Sequence, residues 1–296
     1  MNAVLEATAL GKRYRRRWAL SDCTVAIPEG KVVGLVGPNG AGKTTLLHLA
    51  VGLVAPTSGM VKVLGGRPGQ NAEQLARVGF VAQDTPTYAA LTVADHLRLG
   101  AWLNSRWDSG AAEQRIQQIG LDGNQRVRSL SGGQRAQLAL TLAIAKRPEL
   151  LILDEPVASL DPLARREFLQ SLSEVVNEQG VSVILSSNLV ADLERVCDYV
   201  VVLVASRVRV AGSIGELLSM HHRVTGPRRG PGSLPVGSQV IEECHTDGQS
   251  TFLMRGADLV VWPEWNVEKI NLEDIVLAYM GQSDADTSST PRSEMK

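Results

Sequence analysis

This sequence of 296 residues has few cysteines, almost no net charge and no long apolar run. The three cysteines, Cys23, Cys197 and Cys244, are far apart and form no C-x-x-C pair. This spacing disfavours a disulfide framework or a zinc site and favours reduced thiols in a cytosolic protein. The formal net charge of −1 gives no overall basic field to attract nucleic acid, so we expect no nucleic-acid partner.

The apolar runs have the length of strands. Residues 199–205 form one of the longest, well short of the roughly 18 apolar residues that a membrane span needs. The first six residues have no basic stretch before an apolar one, and we expect no signal peptide. The length, with 44% hydrophobic and 21% charged residues, suits one large α/β domain with an appendage.

A glycine-rich stretch carries the strongest signal. Residues 37–45, GPNGAGKTT, match the P-loop pattern G-x-x-x-x-G-K-[ST] between a predicted strand and a predicted helix. Glycines let backbone N–H groups turn inward, and the helix behind adds the positive end of its dipole. Lys43 supplies a charge for the β- and γ-phosphates, and the Thr44 hydroxyl is placed to ligate Mg²⁺. The sequence therefore predicts that the chain binds a nucleoside triphosphate. The candidate phosphate-binding residues are Gly37, Pro38, Asn39, Gly40, Ala41, Gly42, Lys43, Thr44 and Thr45.

Two carboxylates follow a second apolar run. Residues 150–153 predict a buried parallel strand, and Asp154 and Glu155 come directly after it. Ligands bind beyond the carboxyl ends of strands in open α/β sheets. Asp154 is therefore a candidate to hold Mg²⁺ opposite Thr44, and Glu155 is a candidate general base. A solvated pair of charges at the end of the strand is the alternative.

The rest of the chain divides by pattern. Residues 75–82 predict a strand that ends at Gln83, and residues 92–145 predict a helical insertion. Within the insertion, residues 130–134 (LSGGQ) lead into a helix and predict a second anion-binding helix end. Residues 221–237 indicate a linker, followed by a hairpin (240–245 and 250–255) and a helix capped at 271–274, and the polar residues 283–296 indicate disorder.

A basic run with two aromatic residues occupies positions 12–18. A nucleic-acid patch and a solvated loop at a sheet edge are two interpretations of it. We favour a third interpretation, in which an aromatic ring stacks on the nucleotide base, because stacking needs no particular base edge.

The order of these features resembles the nucleotide-binding subunit of an ABC transporter over about residues 4–220, and LSGGQ is the part that distinguishes this family from other P-loop proteins. The resemblance implies an α/β fold, with a P-loop NTPase core of the ABC ATPase type that combines a mixed sheet and a helical subdomain. It places this ABC ATPase domain at residues 1–220 with the helical subdomain at about 84–145. The patterns described above add a small C-terminal α+β extension at 221–282 and the disordered tail at 283–296.

The resemblance also assigns roles to individual residues. Tyr14 matches the aromatic residue that stacks on the base, and Gln83 matches the glutamine that touches Mg²⁺ and couples to the membrane subunit. Asp154 matches the Mg²⁺ carboxylate, and Glu155 matches the catalytic base. Asp161 matches the loop of the dimer contact. Two chains of this family sandwich two ATP molecules, and each site then uses LSGGQ residues of the partner chain: Ser131, Gly132, Gly133 and Gln134.

One position departs from the family. A histidine usually follows the strand that corresponds to residues 181–185, and this chain has Asn188. The histidine is thought to hold the γ-phosphate and the catalytic geometry, whereas Asn donates a hydrogen bond but carries no proton near neutral pH. We expect Asn188 to reach only one of these groups or to act through water, with ATP binding intact and hydrolysis slowed.

The implied partners are a second ATPase subunit, expected to be a second copy of this chain in a homodimer, and separate integral membrane permease subunits, which dock on about residues 84–99. This places the chain at the cytoplasmic face of the cell membrane as a peripheral protein. Residues 272–280 are similar to the C-terminal end of bacterial exporter subunits, which favours export. A slow-hydrolysing regulatory ATPase and a non-transport ABC protein acting on ribosomes or DNA are the alternatives, and the role of residues 222–281 stays open.

Overall fold

A computed structural model describes residues 2–228, 239–256 and 265–282. The expected disorder at 283–296 and most of the predicted linker lie outside these ranges. The strands are β1 (Ala3–Tyr14), β2 (Arg17–Pro28), β3 (Val32–Val36), β4 (Ser58–Val63), β5 (Val78–Val81), β6 (Leu150–Leu153), β7 (Ser182–Ser187), β8 (Tyr199–Val204), β9 (Arg207–Ser213), β10 (His221–Pro227), β11 (Gln239–His245), β12 (Gln249–Arg255) and β13 (Asn266–Lys269). The helices are α1 (Lys43–Ala50), α2 (Ala72–Ala76), α3 (Val93–Leu103), α4 (Ser109–Gln118), α5 (Gly132–Ile144), α6 (Pro162–Gln179), α7 (Val190–Val196), α8 (Ile214–Met220) and α9 (Leu272–Gly281), with one 3-10 turn at Val127–Ser129.

A six-stranded sheet in the order β5-β6-β7-β3-β8-β9 forms the centre of the molecule. Strands β5, β6, β7, β3 and β8 are parallel, and β9 is antiparallel to β8. All residues of β3, β6 and β7 are buried, as the apolar composition of β3 and β6 predicts, and in β7 this includes Ser182, Ser186 and Ser187. Because parallel strands end on the same edge, the residues after β3, β6 and β7 come together there.

A three-stranded antiparallel sheet in the order β2-β1-β4 packs against this centre. Leu5, Leu10 and Leu20 of this sheet share a core with Leu35 of β3 and Leu47 of α1. The hairpin between β1 and β2 is thereby held close to the loop that precedes α1.

The residues between β5 and β6 are mainly helical, as predicted. Helices α3, α4 and α5 surround a small core that includes Val93, Ile116 and Leu138. Thr92 begins α3 with a reciprocal cap, in which its side chain accepts from the Asp95 N–H and the Asp95 carboxylate accepts from the Thr92 N–H.

The C-terminal residues form a four-stranded antiparallel sheet in the order β11-β12-β10-β13. The predicted hairpin is confirmed, with Val240 opposite Met254 and His245 opposite Ser250. The predicted helix after Asn271 is also confirmed as α9, since the Asn271 side chain accepts from the Asp274 N–H at 2.8 Å. Helix α9 packs on the central sheet: Ile275 and Val276 join the same core as Val200 of β8.

Two predicted boundaries are wrong. Residues 75–76 belong to helix α2, because the Asn71 side chain caps that helix, and the strand begins only at Val78. The predicted linker does not begin at His221: β10 occupies 221–227 and pairs with both β12 and β13. Buried His221 and Val224 stabilise this strand, and the Gly, Pro and Arg residues that suggested a linker come mostly after it.

Helix α7 was not predicted. No helix within the described residues combines the length and the apolar character that crossing a membrane requires.

Candidate functional site

The loop between β3 and α1 has a backbone that needs glycine at several positions. Gly40 and Gly42 have φ angles of 81° and 111°, in the left-handed region that favours glycine. A Cβ atom on Gly42 would lie 2.4 Å from the Ala19 carbonyl oxygen, and one on Gly37 would lie 2.0 Å from the Leu203 carbonyl oxygen. The sequence pattern is therefore accounted for by close backbone contacts with β2 and β8.

Lys43 is the first residue of α1 and is only 5% exposed. Its ammonium group donates to the Gly37 carbonyl at 2.8 Å and to the Asn188 side-chain oxygen at 2.7 Å. Its nitrogen also lies 3.3 Å from a carboxylate oxygen of Glu155. A cation this buried needs such partners, since desolvation without them is costly.

Glu155 is held by β7 as well as by Lys43. The Glu155 backbone N–H donates to the Ser186 hydroxyl at 2.8 Å, and that hydroxyl donates to the Asp154 carboxylate at 2.8 Å. Ser186 thus fixes both carboxylate residues from the neighbouring strand. The φ angle of Glu155 is 45°, an uncommon conformation for a residue with a side chain and one found at functional sites.

Asn188 bridges the two charged groups. Its side-chain nitrogen donates to the Glu155 carboxylate at 2.8 Å, while its oxygen accepts from Lys43. The two contacts fix the orientation of the amide, because Lys43 can only donate and an ionised Glu155 can only accept. Asn188 therefore reaches Glu155, and its contact with a γ-phosphate stays a prediction.

These residues open into one cavity of about 570 Å³. Tyr14 lines it and is 46% exposed, with the Lys12 ammonium 5.2 Å from the ring centroid. Gly37, Pro38, Ala41 and Asp154 are not among the lining residues; Ala41 and Asp154 are buried behind the surface. Two lining residues, Arg17 and Ala19, were not predicted from the sequence, because they lie outside the P-loop motif. The cavity is lined by Tyr14, Arg17, Ala19, Asn39, Gly40, Gly42, Lys43, Thr44, Thr45, Gln83, Glu155 and Asn188.

The predicted Mg²⁺ ligands are compatible with that ion. Thr44 and Gln83 line the same cavity, and Asp154 is oriented behind it by Ser186. The hydroxyl, amide and carboxylate supply the hard oxygen donors that Mg²⁺ prefers, with nucleotide phosphates and waters completing its shell. Across the described ranges no group of three or more His, Cys, Asp or Glu residues is placed to hold a metal ion.

The LSGGQ segment lies in another cleft. Ser131 begins α5 with a reciprocal cap: the Gln134 N–H donates to the Ser131 hydroxyl at 3.2 Å, and the Ser131 N–H donates to the Gln134 side chain at 2.9 Å. Gly132 lines a cavity of about 340 Å³ together with Pro156 and Ser159. None of its lining residues is shared with the P-loop cavity.

Asp161 contributes to neither cavity lining. Its carboxylate caps α6 by accepting from the Leu163 and Ala164 N–H groups, both at 3.0 Å. Within one chain, the structure thus brings Tyr14, Lys43, Gln83 and Glu155 together, and it keeps the LSGGQ segment and Asp161 apart from them.

The mixed sheet and the loop at its carboxyl edge define a P-loop nucleotide-binding protein. Comparison with known proteins is more specific: residues 20–158 match the ABC transporter family. The chain belongs to the family of ABC transporter ATP-binding proteins.

Two relatives and one solved structure illustrate the range of similarity. The bacitracin transport ATP-binding protein of Enterococcus faecalis is 31% identical over 228 residues, which cover 76% of this chain and 74% of that protein. The sulfate/thiosulfate import ATP-binding protein of Chromobacterium violaceum is 30% identical over 282 residues, covering 88% of this chain and 76% of that protein. The structure of an ATP-binding subunit of an ABC transporter has a TM-score of 0.65 and 28% identity, over 72% of this chain and 91% of that one.

Proposed function

We propose that this chain binds and hydrolyses ATP as one half of a dimer and drives transport, in the direction of export, through separate membrane permease subunits. The observation that carries the proposal is the convergence of Lys43, Glu155 and Asn188 with the glycine loop in one cavity. In this proposal residues 1–220 are the ATPase domain and residues 221–282 its C-terminal extension.

The contacts among these residues suggest how nucleotide acts. Lys43 shares its charge between Glu155 and Asn188, at 3.3 Å and 2.7 Å. A γ-phosphate at the loop would compete for the same ammonium group, because its charge is higher and the loop N–H groups also favour it. Glu155 is then released from Lys43 and can accept a proton from an attacking water. Mg²⁺ held by Thr44, Gln83 and Asp154 would supply further neutralisation of the phosphate charge.

The separation of the two clefts supports a second ATPase subunit. Ser131 and Gly132 are exposed and lie outside the P-loop cavity of their own chain. The exposed helix end of α5 is a site for an anion, by the same dipole argument that applies to α1. We infer that it completes the P-loop site of the partner chain, with ATP between the two.

A groove that shares residues 85–87 with the cavity at Gly132 suits the permease subunits. It has a volume of about 610 Å³ and is lined mainly by apolar groups, including Phe80 of β5, Leu99 of α3 and Leu142 of α5. Tyr88 and Leu103 at this groove are 64% and 74% exposed, which is unusual for side chains so large and apolar. An amphipathic helix of an integral membrane protein would fill it, and the chain would then be a peripheral protein at the cytoplasmic face of the membrane.

The direction of transport has separate support. The sequence of residues 272–280, which lie in helix α9, resembles the C-terminal end of bacterial exporter subunits, and we take this resemblance as support for export. The E. faecalis relative transports bacitracin, whereas the C. violaceum relative serves import. An assay of substrate movement in membrane vesicles of both orientations decides the direction. The second candidate, a slow regulatory ATPase, is favoured by one observation, which is the presence of Asn188 beside Glu155.

Glu155→Gln tests the dimer and the hydrolytic role together. The amide keeps the size of the side chain but cannot act as a base, so we expect ATP and Mg²⁺ to convert the variant into a stable dimer that releases no phosphate. Size-exclusion chromatography with light scattering measures the mass, with and without ATP.

The matched control is the double variant that also carries Lys43→Ala, which should stay monomeric because it loses the cation at the phosphates. A Glu155→Gln variant that remains monomeric with ATP, while the wild type hydrolyses ATP, contradicts the two-chain site.

A further inference from the structure

The hairpin between β1 and β2 brings a second cation to the P-loop cavity. Tyr14 ends β1 and pairs directly with Arg17, the first residue of β2, while Arg15 and Arg16 form the turn. Residues that pair directly across two strands have side chains on one face, and the residue two further along a strand shares that face. Accordingly Tyr14, Arg17 and Ala19 all line the cavity, and Arg15 and Arg16 do not.

The guanidinium of Arg17 lies beside the loop itself. One of its terminal nitrogens is 3.8 Å from the position that a Cβ on Gly40 would take. The hairpin backbone is in contact too, since Ala19 O would be 2.4 Å from a Cβ on Gly42. The strand pairing that brings β2 against the loop therefore fixes the position of Arg17 beside it.

No group in the part of the chain that the structure describes is placed to neutralise Arg17. Among the described residues lining the cavity, Glu155 is the single acid, and it is occupied by Lys43 and Asn188. Over residues 2–228, 239–256 and 265–282, none of the ion pairs or side-chain hydrogen bonds involves the Arg17 guanidinium. The charge next to the loop is therefore available to an anion.

We propose that Arg17 binds the phosphate groups nearest the base, so that it contributes to the affinity for ATP and ADP alike. This inference rests on the proposed ATP site. Lys43, 5% exposed, lies with Glu155 at the buried end of the cavity, and Tyr14, 46% exposed, marks the exposed end, where the base is expected. Arg17 pairs with Tyr14 and borders Gly40, which puts it between these two ends. A planar guanidinium there can donate two parallel hydrogen bonds to phosphate oxygens.

The test compares Arg17→Ala with Arg16→Ala by calorimetric titration of ATP, ADP and adenosine. Both variants lose one positive charge from the same hairpin, and only Arg17 lines the cavity. We expect Arg17→Ala to weaken ATP and ADP binding about 10- to 100-fold, as for the loss of a charge-assisted hydrogen bond. Arg16→Ala should change affinity less than about threefold, because Arg16 does not line the cavity and its charge is screened by solvent. The affinity of Arg17→Lys for ATP and ADP should fall between those of wild type and Arg17→Ala. Lysine keeps the positive charge but lacks the planar guanidinium that donates two parallel hydrogen bonds.

Adenosine separates a phosphate contact from an effect on the ring of Tyr14. Adenosine binding that is unchanged in Arg17→Ala supports the proposal, while adenosine binding weakened as much as ADP binding overturns it. Equal ATP affinities for Arg17→Ala and Arg16→Ala also overturn it. Far-UV circular dichroism and thermal unfolding of each variant confirm that the hairpin is folded.

Lys43→Ala, measured in the same titrations, keeps the two proposals distinct. Loss of ATP binding in Lys43→Ala together with wild-type affinity in Arg17→Ala rejects the role of Arg17 alone. Wild-type affinity in Lys43→Ala rejects the nucleotide site itself.

Discussion

Replacing Asn188 with histidine is expected to raise the rate of ATP hydrolysis at least about tenfold. Asn188 already uses its oxygen on Lys43, at 2.7 Å, and one N–H on Glu155, at 2.8 Å. One amide N–H remains for the γ-phosphate, on a side chain shorter than histidine. An imidazole extends further from the backbone and can donate its N–H to a phosphate oxygen, and in its protonated form it can donate to Glu155 as well.

The size of the expected rate increase follows from the γ-phosphate contact that the shorter asparagine side chain makes less well than histidine. Loss of one well-placed donor to a transition-state oxygen costs about 2.7–4 kcal/mol, or roughly 10²–10³ in rate. Because the remaining N–H of Asn188 recovers part of this, we expect the histidine variant to gain at least about 1.4 kcal/mol, the equivalent of tenfold. The affinity for ATP should stay the same, since Lys43 and the glycine loop are unaltered.

The assay is steady-state phosphate release at saturating ATP, with the permease subunits present. Asn188→Ala is the matched control and should be slower than wild type, because it removes the contacts to both Lys43 and Glu155. A wild type that is already fast and is unchanged by Asn188→His would show that asparagine is an equivalent replacement. The regulatory alternative would then lose its only support.

Two further predictions concern groups away from the cavity. Cys244 is exposed, whereas burial raises the pKa of Cys23 to about 11 and raises that of Cys197 as well. A thiol reagent near neutral pH should therefore label Cys244 first, and labelling of Cys23 at the same rate in the folded protein would contradict the packing. Burial also raises the pKa of Asp192, which lies 3.8 Å from Arg165. The folded state then binds more protons than the unfolded state, so this carboxyl lowers stability as the pH rises above its unfolded pKa of about 4 and through its higher folded pKa. Asp192→Asn should flatten that part of the pH dependence in urea unfolding, and an unchanged slope between acidic and neutral pH would refute it.

The features predicted from the sequence are those that depend on neighbours along the chain. The glycine loop, the buried strand before Asp154 and the cap at Asn271 are all local patterns, and the structure has the corresponding elements. The failures at residues 75–76 and at His221 arose at element boundaries. There a capping side chain or pairing with a distant strand, rather than composition, decides the structure.

The contacts at the cavity could not be predicted in the same way. Asn188 and Lys43 are 145 residues apart in the chain, and Ser186 reaches Asp154 across 32 residues. Such pairs depend on the order of strands in the sheet, which no single segment encodes. The place of Arg17 in the cavity could have been predicted, because a two-residue turn between strands pairs it with Tyr14. The neighbouring basic residues made it difficult to single out Arg17 from the sequence.

Helix α9 has a consequence for how this protein unfolds. Its buried Ile275, Val276 and Tyr279 belong to the same apolar core as Val200 of the central sheet and Leu193 of α7, the helix that follows Asn188. The Leu272 N–H also donates to Glu194 of α7 at 3.2 Å. Because burial in one core couples the exposure of these surfaces, we expect helix α9 and the carboxyl edge of the sheet beside α7 to open as one cooperative unit. Hydrogen exchange in α9 therefore reports on the same opening that releases the segment carrying Asn188.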